Sequence, residues 1–380
     1  MDYVSNKDLI NLLRRLVQIP TENPPGITKE IVNYLITDVL REEEGFSNHV
    51  IPYRKNNHTL HNLVSKMGDG KKNIVFTGHF DVIPAGNSSD WKYPPFSADI
   101  KDNKLFGRGS ADMKGGLTML ISVMKNLSKN SEFLKKYCIV FAGTADEELG
   151  MTGSLNLINE GVMDNADLLV IAEPTNMNIG VAEKGLLWVK LILHGKAAHG
   201  SMPENGINSI VEASKIIPRL FNFSDNEVNP ILGTSSLNIG KINGGTVINV
   251  VPDKTELELD FRLIPEHNPD ILVDKIKELK TSSCTLDFEI LKKLPAIYSD
   301  TNLPFIQKLR KLSGGRLIGL PYATDGANFI DPDKSIPFVI FGPGDPSIAH
   351  TVNEYIELDS LLRATDVLTR AFLETYSLKR

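Results

Sequence analysis

Cysteine and tryptophan are the scarcest residues of this 380-residue chain, with two of each. Cys138 and Cys284 lie far apart and form no C-x-x-C spacing, which excludes a disulfide framework and a thiolate metal site and fits a reducing compartment. No apolar run approaches the roughly 20 residues that cross a bilayer. Positive charge is not in excess either. The 41 Lys and Arg face 47 Asp and Glu for a net charge of −6, which argues against nucleic acid or an anionic membrane as a main partner. The opening residues, "MDYVSNKDLI", lack the basic, apolar and small-residue regions of a signal peptide, so a cytoplasmic location is expected. Internal repeats and low-complexity segments are missing as well. What is present is 41% hydrophobic and 23% charged residues, a globular composition in a chain long enough for two cores.

The two halves of the pattern differ. "NKDLINLLRRLVQIPT" repeats Leu and Ile at helical spacing and closes on proline. Four apolar runs then read as strands: "NIVFTGHFD", "YCIVFAGTADEE", "ADLLVIAEPT" and, much later, "IPFVIFGPG". "MKGGLTMLISVMKNLSK", between the first two, reads as a helix. Apolar runs alternating with helices predict strands buried on both faces of an α/β sheet, mostly parallel. In such sheets the chemistry sits beyond the carboxyl ends of the strands. The middle of the chain alternates instead. "GLLWVKLILHG", "SSLNIGKING", "KTELELDFRL" and "CTLDFEILKKL" read as strands, with helices in "NSIVEASKIIPRL" and "PDILVDKIKELK". The order βαββαβ predicts a ferredoxin-like insertion at 184–293, leaving 1–183 and 294–380 as the first domain.

The strand ends carry an unusual set of side chains. "FAGTADEELG" places Asp146, Glu147 and Glu148 side by side, an arrangement that needs a positive partner. His79 and Asp81 end "TGHFD", Asp112 lies in "GSADMKGG", Glu173 in "IAEPT" and His350 in "PSIAHT". Singly, each has an ordinary reading: a lone histidine is usually a loop or core residue, and an acidic run a solvated face. Together, imidazoles and carboxylates converging on one rim fit a divalent metal such as zinc. His-x-Asp suggests that His79 binds metal through one ring nitrogen while Asp81 accepts a hydrogen bond from the other and fixes the tautomer. Two ions roughly 3.5 Å apart could share Asp112. "GRGSAD" is not a dinucleotide fingerprint, since it lacks the third glycine and the strand-turn-helix context.

The segments "TGHFDVIPAG", "WKYPPFSADIKDNKLFGRGSADMKGG", "TADEELGMTGS", "AEPT", "AAHGSMPENGINSI", "INVVPDKTELELDFR" and "FGPGDPSIAHTVNEYI" span residues 77–357. In that order they resemble the di-zinc amidohydrolases and metallopeptidases that include succinyl-diaminopimelate desuccinylase, acetylornithine deacetylase, aminoacylase and the glutamate-releasing carboxypeptidases. The resemblance implies a zinc-exopeptidase-like catalytic domain and an inserted lid and dimerisation domain. It implies two zinc ions, with cobalt or manganese able to take their place: one held by His79, Asp112 and Glu173, the other by Asp112, Glu148 and His350. Glu147 would be the general base, with Asp81 supporting His79, and the Asp112–Met113 peptide would be cis. Asp146 would be a neighbour without a catalytic role. His199 would stabilise the oxyanion, commonly from a partner subunit. Asn249 and Arg262 would bind substrate, as would Thr324 in the more loosely matching "ATDGANF". His49, His58, His61, His194 and His267 carry no ligand pattern. The implied substrate is a small N-acyl amino acid or a dipeptide, and the implied assembly a homodimer through the lid.

Overall fold

The computed structural model describes residues 3–376 apart from 223–226, 332–333 and 335. In the strand Lys72–His79, every residue from Ile74 to His79 is buried, as expected where both faces of a sheet are covered. Tyr137–Thr144 and Ala166–Ile171 are similarly buried. These three and Phe338–Ile340 form the parallel centre of the sheet, in the spatial order Tyr137–Thr144, Lys72–His79, Ala166–Ile171, Phe338–Ile340. Antiparallel strands extend it on both sides. His58–Met67 and the edge strand Ser47–Lys55 lie on one side, and Ile179–Glu183 pairs with Phe338–Ile340 on the other. The architecture is therefore α/β with a large, mostly parallel sheet.

The helix Gly115–Leu127 is buried nearly all round, the state expected of a helix apolar on every face. It packs against Asn6–Gln18 and Leu358–Tyr376. At Gly116 a Cβ would stand 2.0 Å from the main-chain oxygen of Ala172, so glycine is what lets the helix pass so near the strand end that leads to Glu173.

The described residues fall into two compact units. The first comprises the described residues of Met1–Val181, Ser299–Ile318 and Thr324–Arg380; the second comprises those of Ala182–Tyr298 and Gly319–Ala323. The second unit holds a four-stranded antiparallel sheet in the order Ser236–Gly244, Lys254–Leu263, Gly185–His194, Thr285–Leu294. Alternation sets its faces. Leu187, Val189, Leu191 and Leu193, with Leu257, Leu259, Phe261 and Leu263, pack against Ala213 and Ile216 of one helix and Leu272, Val273 and Ile276 of the other. The opposite face carries charge, including a Lys190–Glu256 pair at 3.1 Å. Gly319–Ala323 joins this unit through a hydrogen bond from Lys184 N to Leu320 O at 3.0 Å. Among the described residues, no helix is long and apolar enough to cross a membrane.

Candidate metal centre

Each acidic or imidazole group reaches the centre from a different segment. His79 is the last residue of Lys72–His79, Glu147 and Glu148 follow Tyr137–Thr144, and Glu173 follows Ala166–Ile171. Asp112 lies in the turn before Gly115–Leu127, where the Asp112–Met113 peptide is cis. His79 Nε2 is 3.2 Å from Asp112 Oδ1 and 3.8 Å from Glu173 Oε1. The other oxygen of Asp112 turns to His350, 3.3 Å from its Nε2, and Glu148 Oε2 lies 3.1 Å from the same nitrogen. Two triads result, His79–Asp112–Glu173 and Asp112–Glu148–His350, each with donor atoms within 4.8 Å of one another. Glu147 belongs to neither, although its Oε2 is 3.9 Å from His79 Nε2.

The electrostatics follow from crowding. Burial and the neighbouring Glu173, Asp325 and Glu148 push the Glu147 carboxyl well above its ordinary range, against the pull of His79. Burial and Asp112 do the same to Glu173. Burial also raises Glu148, with His350 pulling the other way. Burial disfavours the charged form of His79, but its hydrogen bond to Asp112 and the surrounding carboxylates prevail and raise its pKa well above the usual imidazole value. His350, bonded to Asp112 and Glu148, is pushed up to about 10. Burial works against the Asp112 carboxylate, and the two histidines outweigh it and lower its pKa. Carboxylates that hold protons back and imidazoles that keep them form a site short of positive charge. A divalent cation would supply it, and the donor set suits one. Ligands about 2.1 Å from one tetrahedral ion stand about 3.4 Å apart, close to the separations within each triad. Imidazole and carboxylate donors without sulfur match zinc, cobalt or manganese.

One expected bond is replaced by another. The Asp81 carboxylate does not hold the His79 ring: its Oδ1 is 3.9 Å from Nδ1. The Asp81 main-chain oxygen accepts from Nδ1 instead, at 2.8 Å, and leaves Nε2 facing the carboxylates. The carboxylate is committed elsewhere. It accepts from Asn23 Nδ2 at 2.8 Å and from the main-chain N–H groups of Glu147 and Glu148 at 3.1 and 3.2 Å. Asp81 thus holds the loop that carries both glutamates.

Asp146, fully buried, answers the crowding of the acidic run differently from its neighbours. Its cation is Lys55 Nζ, 2.6 Å from Oδ1, and Asn23 Nδ2 donates to the same oxygen at 3.1 Å. Three further groups were not expected from the pattern. Asp325 accepts from Thr144 Oγ1 at 2.6 Å and from Ser154 Oγ, and burial raises its carboxyl. Lys114 Nζ, buried, donates to Ile19 O at 2.8 Å, and desolvation lowers its pKa to about 7. Glu354 and Arg108 form a buried pair at 2.6 Å. The partners of these four side chains, Asp325, Lys114, Glu354 and Arg108, are distant in sequence, and no local spacing marks them.

The remaining predicted residues lie outside the triads. Thr324 is buried, and its Oγ1 accepts from Gly326 N at 3.0 Å. In the second unit, His199 is exposed and its Nδ1 accepts from Ser201 N at 3.2 Å. Gly200 N donates to the main-chain oxygen of Asn249 at 2.7 Å, beside an isolated bridge of His199 to Val250. Arg262 donates twice to Asp260, two residues away on the same strand face, at 2.8 and 3.1 Å.

Comparison with known proteins fits this geometry. Residues 75–374 match the model of Peptidase family M20/M25/M40. Over 411 aligned positions, the chain is 32% identical to a Staphylococcus aureus protein named probable succinyl-diaminopimelate desuccinylase, with 98% of this chain and 99% of that protein covered. Aminopeptidase PepT of Bacillus cereus shares the fold with a TM-score of 0.76 at 23% identity, over 98% of this chain and 99% of that one. A dinuclear metal-binding peptidase of the M20 family from Bacillus subtilis does so with a TM-score of 0.67 at 18% identity, over 98% and 99%. The match over most of its length makes the chain a member of Peptidase family M20/M25/M40, a metal-dependent hydrolase.

Proposed function

We propose that the chain hydrolyses the amide bond of a small N-acyl amino acid, with succinyl-diaminopimelate the first substrate to test and acetylornithine the second. The observation that carries the reaction class is the position of Glu147, a half-buried carboxylate of raised basicity beside two carboxylate–imidazole triads and part of neither. The substrate reading rests on the full-length likeness to a protein named as a desuccinylase.

In this reading His79, Asp112 and Glu173 would hold one zinc ion, and Asp112, Glu148 and His350 the other. When bound, such ions polarise the scissile carbonyl and lower the pKa of water toward about 7. Glu147 takes the proton of the attacking water and delivers it to the leaving amine. Asp81 keeps Glu147 and Glu148 in register through their main-chain N–H groups. His199 suits an oxyanion donor: Ser201 N–H occupies Nδ1 as an acceptor, so the neutral ring carries its proton on Nε2. Arg262 offers a planar fork for a substrate carboxylate once Asp260 releases it, with Asn249 and Thr324 as further polar contacts. Homodimerisation through the second unit, whose sheet ends in two edge strands, belongs to the same proposal.

The test is a panel of N-succinyl, N-acetyl and dipeptide substrates with zinc- or cobalt-loaded protein. The highest kcat/KM is expected on an N-succinyl or N-acetyl amino acid. A clear preference for dipeptides would replace the deacylase reading with a peptidase one.

A further inference from the structure

Four residues after His350, the same segment buries Glu354, of which 1% is exposed. Its carboxylate is a hub for the turn that carries Asp112. Oε1 accepts from Ala111 N at 2.9 Å and from Asp112 N at 3.1 Å, while Oε2 accepts from Gly109 N at 3.1 Å and from Arg108 at 2.6 Å. The main-chain oxygen of Glu354 also accepts from Gly107 N at 2.9 Å. Arg108 is fixed in turn, donating to Thr351 O at 3.1 Å and lying over the Trp91 ring at 5.1 Å. The segment 350–354 is wound tightly to reach both places. His350 and Asn353 have φ of +64° and +61°, a region that side chains other than glycine enter at a cost and that is enriched at functional sites. One short stretch thus supplies the imidazole of one triad and the carboxylate that shapes the residue shared by both.

We propose that Glu354 is a positioning residue for the whole metal centre, acting through Asp112. This rests on the two-ion reading above. Asp112 is the one residue common to the two triads, with one oxygen toward His79 and the other toward His350. The orientation of that carboxylate follows the main chain of residues 109–112, and three of the N–H groups there end on Glu354. Disturbing Glu354 therefore weakens both ions together. Loss of a ligand belonging to one triad, such as His350, weakens mainly one. A glutamine at 354 has a single acceptor oxygen and places an amide N–H₂ against Arg108 or Gly109, so it cannot satisfy the four donors. An aspartate keeps the charge beside Arg108 but falls one methylene short of residues 111 and 112.

The experiment is calorimetric titration of the chelator-stripped full chain with Zn2+ alone, for wild type, Glu354→Gln, Glu354→Asp and His350→Ala, with melting of each metal-free form recorded alongside. Wild type should take up two equivalents. Partners that orient metal ligands typically contribute about 10–100-fold in affinity, so Glu354→Gln should lose about that much at both equivalents, and Glu354→Asp less but again at both. His350→Ala should lose one selectively. If Glu354→Gln does not fold, the aspartate variant decides. Two equivalents at wild-type affinity in a folded Glu354 variant, or loss of one alone, overturns the role of Glu354. Failure of wild type to bind two ions overturns the two-ion reading itself, and the role of Glu354 with it.

Discussion

Replacing Lys55 with methionine isolates the group that makes Asp146 tolerable. Asp146 is buried, and its carboxylate has two donors from other side chains, Lys55 at 2.6 Å and Asn23 at 3.1 Å. Lys55→Met leaves that carboxylate charged, out of water and held by one amide N–H. Removing one partner of a fully buried ion pair costs about 3–5 kcal/mol; the Lys55 side chain is 28% exposed, so about 2–3 kcal/mol is the expected loss here. At roughly 2–4 °C per kcal/mol, melting of the metal-free protein should fall by about 4–12 °C. The second variant, Lys55→Met with Asp146→Asn, removes the orphaned charge. Asparagine also accepts the left-handed backbone of this position, where φ is +69°. Most of the lost stability should therefore return. Scanning calorimetry of wild type, the single and the double variant measures all three values. An unchanged melting temperature in Lys55→Met, or a double variant no more stable than the single, would refute the pairing as a source of stability. Activity should follow stability, because the main chain of Asp146 leads directly into Glu147 and Glu148.

Other outcomes separate the roles assigned to neighbours. Glu148→Ala should lose metal measured by plasma emission, whereas Glu147→Ala should keep two ions and lose about 10²–10⁴-fold in kcat; identical metal content and activity would refute the division between them. For the metal-free protein the pH dependence has a definite sign. His350 and His79 have folded pKa values raised above the unfolded value near 6.5, so the stability they contribute is full below about pH 6.5 and is lost as pH rises toward about 10 for His350. Raised Glu147 and Glu173 act in the same direction. Metal competes with those protons, so the melting gap between zinc-loaded and metal-free protein should widen from pH 6.5 to 9; a constant gap would count against His350 as a ligand. His199→Ala should lower kcat by about 10²–10³-fold with metal content unchanged. Mixed with Glu147→Ala under subunit exchange, it should regain activity if the base and the oxyanion donor come from different chains, and no recovery would argue against sharing.

What the sequence shows and what it hides have physical causes. Lys72–His79, Tyr137–Thr144 and Ala166–Ile171 are legible because strands covered on both faces are apolar at consecutive positions, and polar residues then mark their ends. Ser47–Lys55 is not, because an edge strand with one fully buried residue, Ile51, has no such run. The alternation of Gly185–His194 and Lys254–Leu263 gives away the one-sided sheet of the second unit. Metal-type side chains at strand ends can be noticed one by one, but the network behind them cannot. Asn23 and Lys55 lie before the matched family segment and meet Asp146 more than 90 residues later, while Glu354 meets the 108–112 turn across more than 240. Buried polar networks obey hydrogen-bond satisfaction, which has no period along a chain. The tautomer of His79 shows the same limit, since the main-chain oxygen of Asp81 does the work expected of its side chain.

The position of Phe338–Ile340 within the sheet has a consequence for the order in which the molecule can be made. It fills the slot between Ala166–Ile171 and Ile179–Glu183, both of which emerge from the ribosome about 150 residues earlier. At roughly 5–20 residues per second, that slot stays open for about 8–30 s of synthesis, with unpaired main-chain edges on either side. The second unit is translated in that interval and has a core of its own to close. His350 follows ten residues after the late strand, so the Asp112–Glu148–His350 triad can form only after that strand has been made.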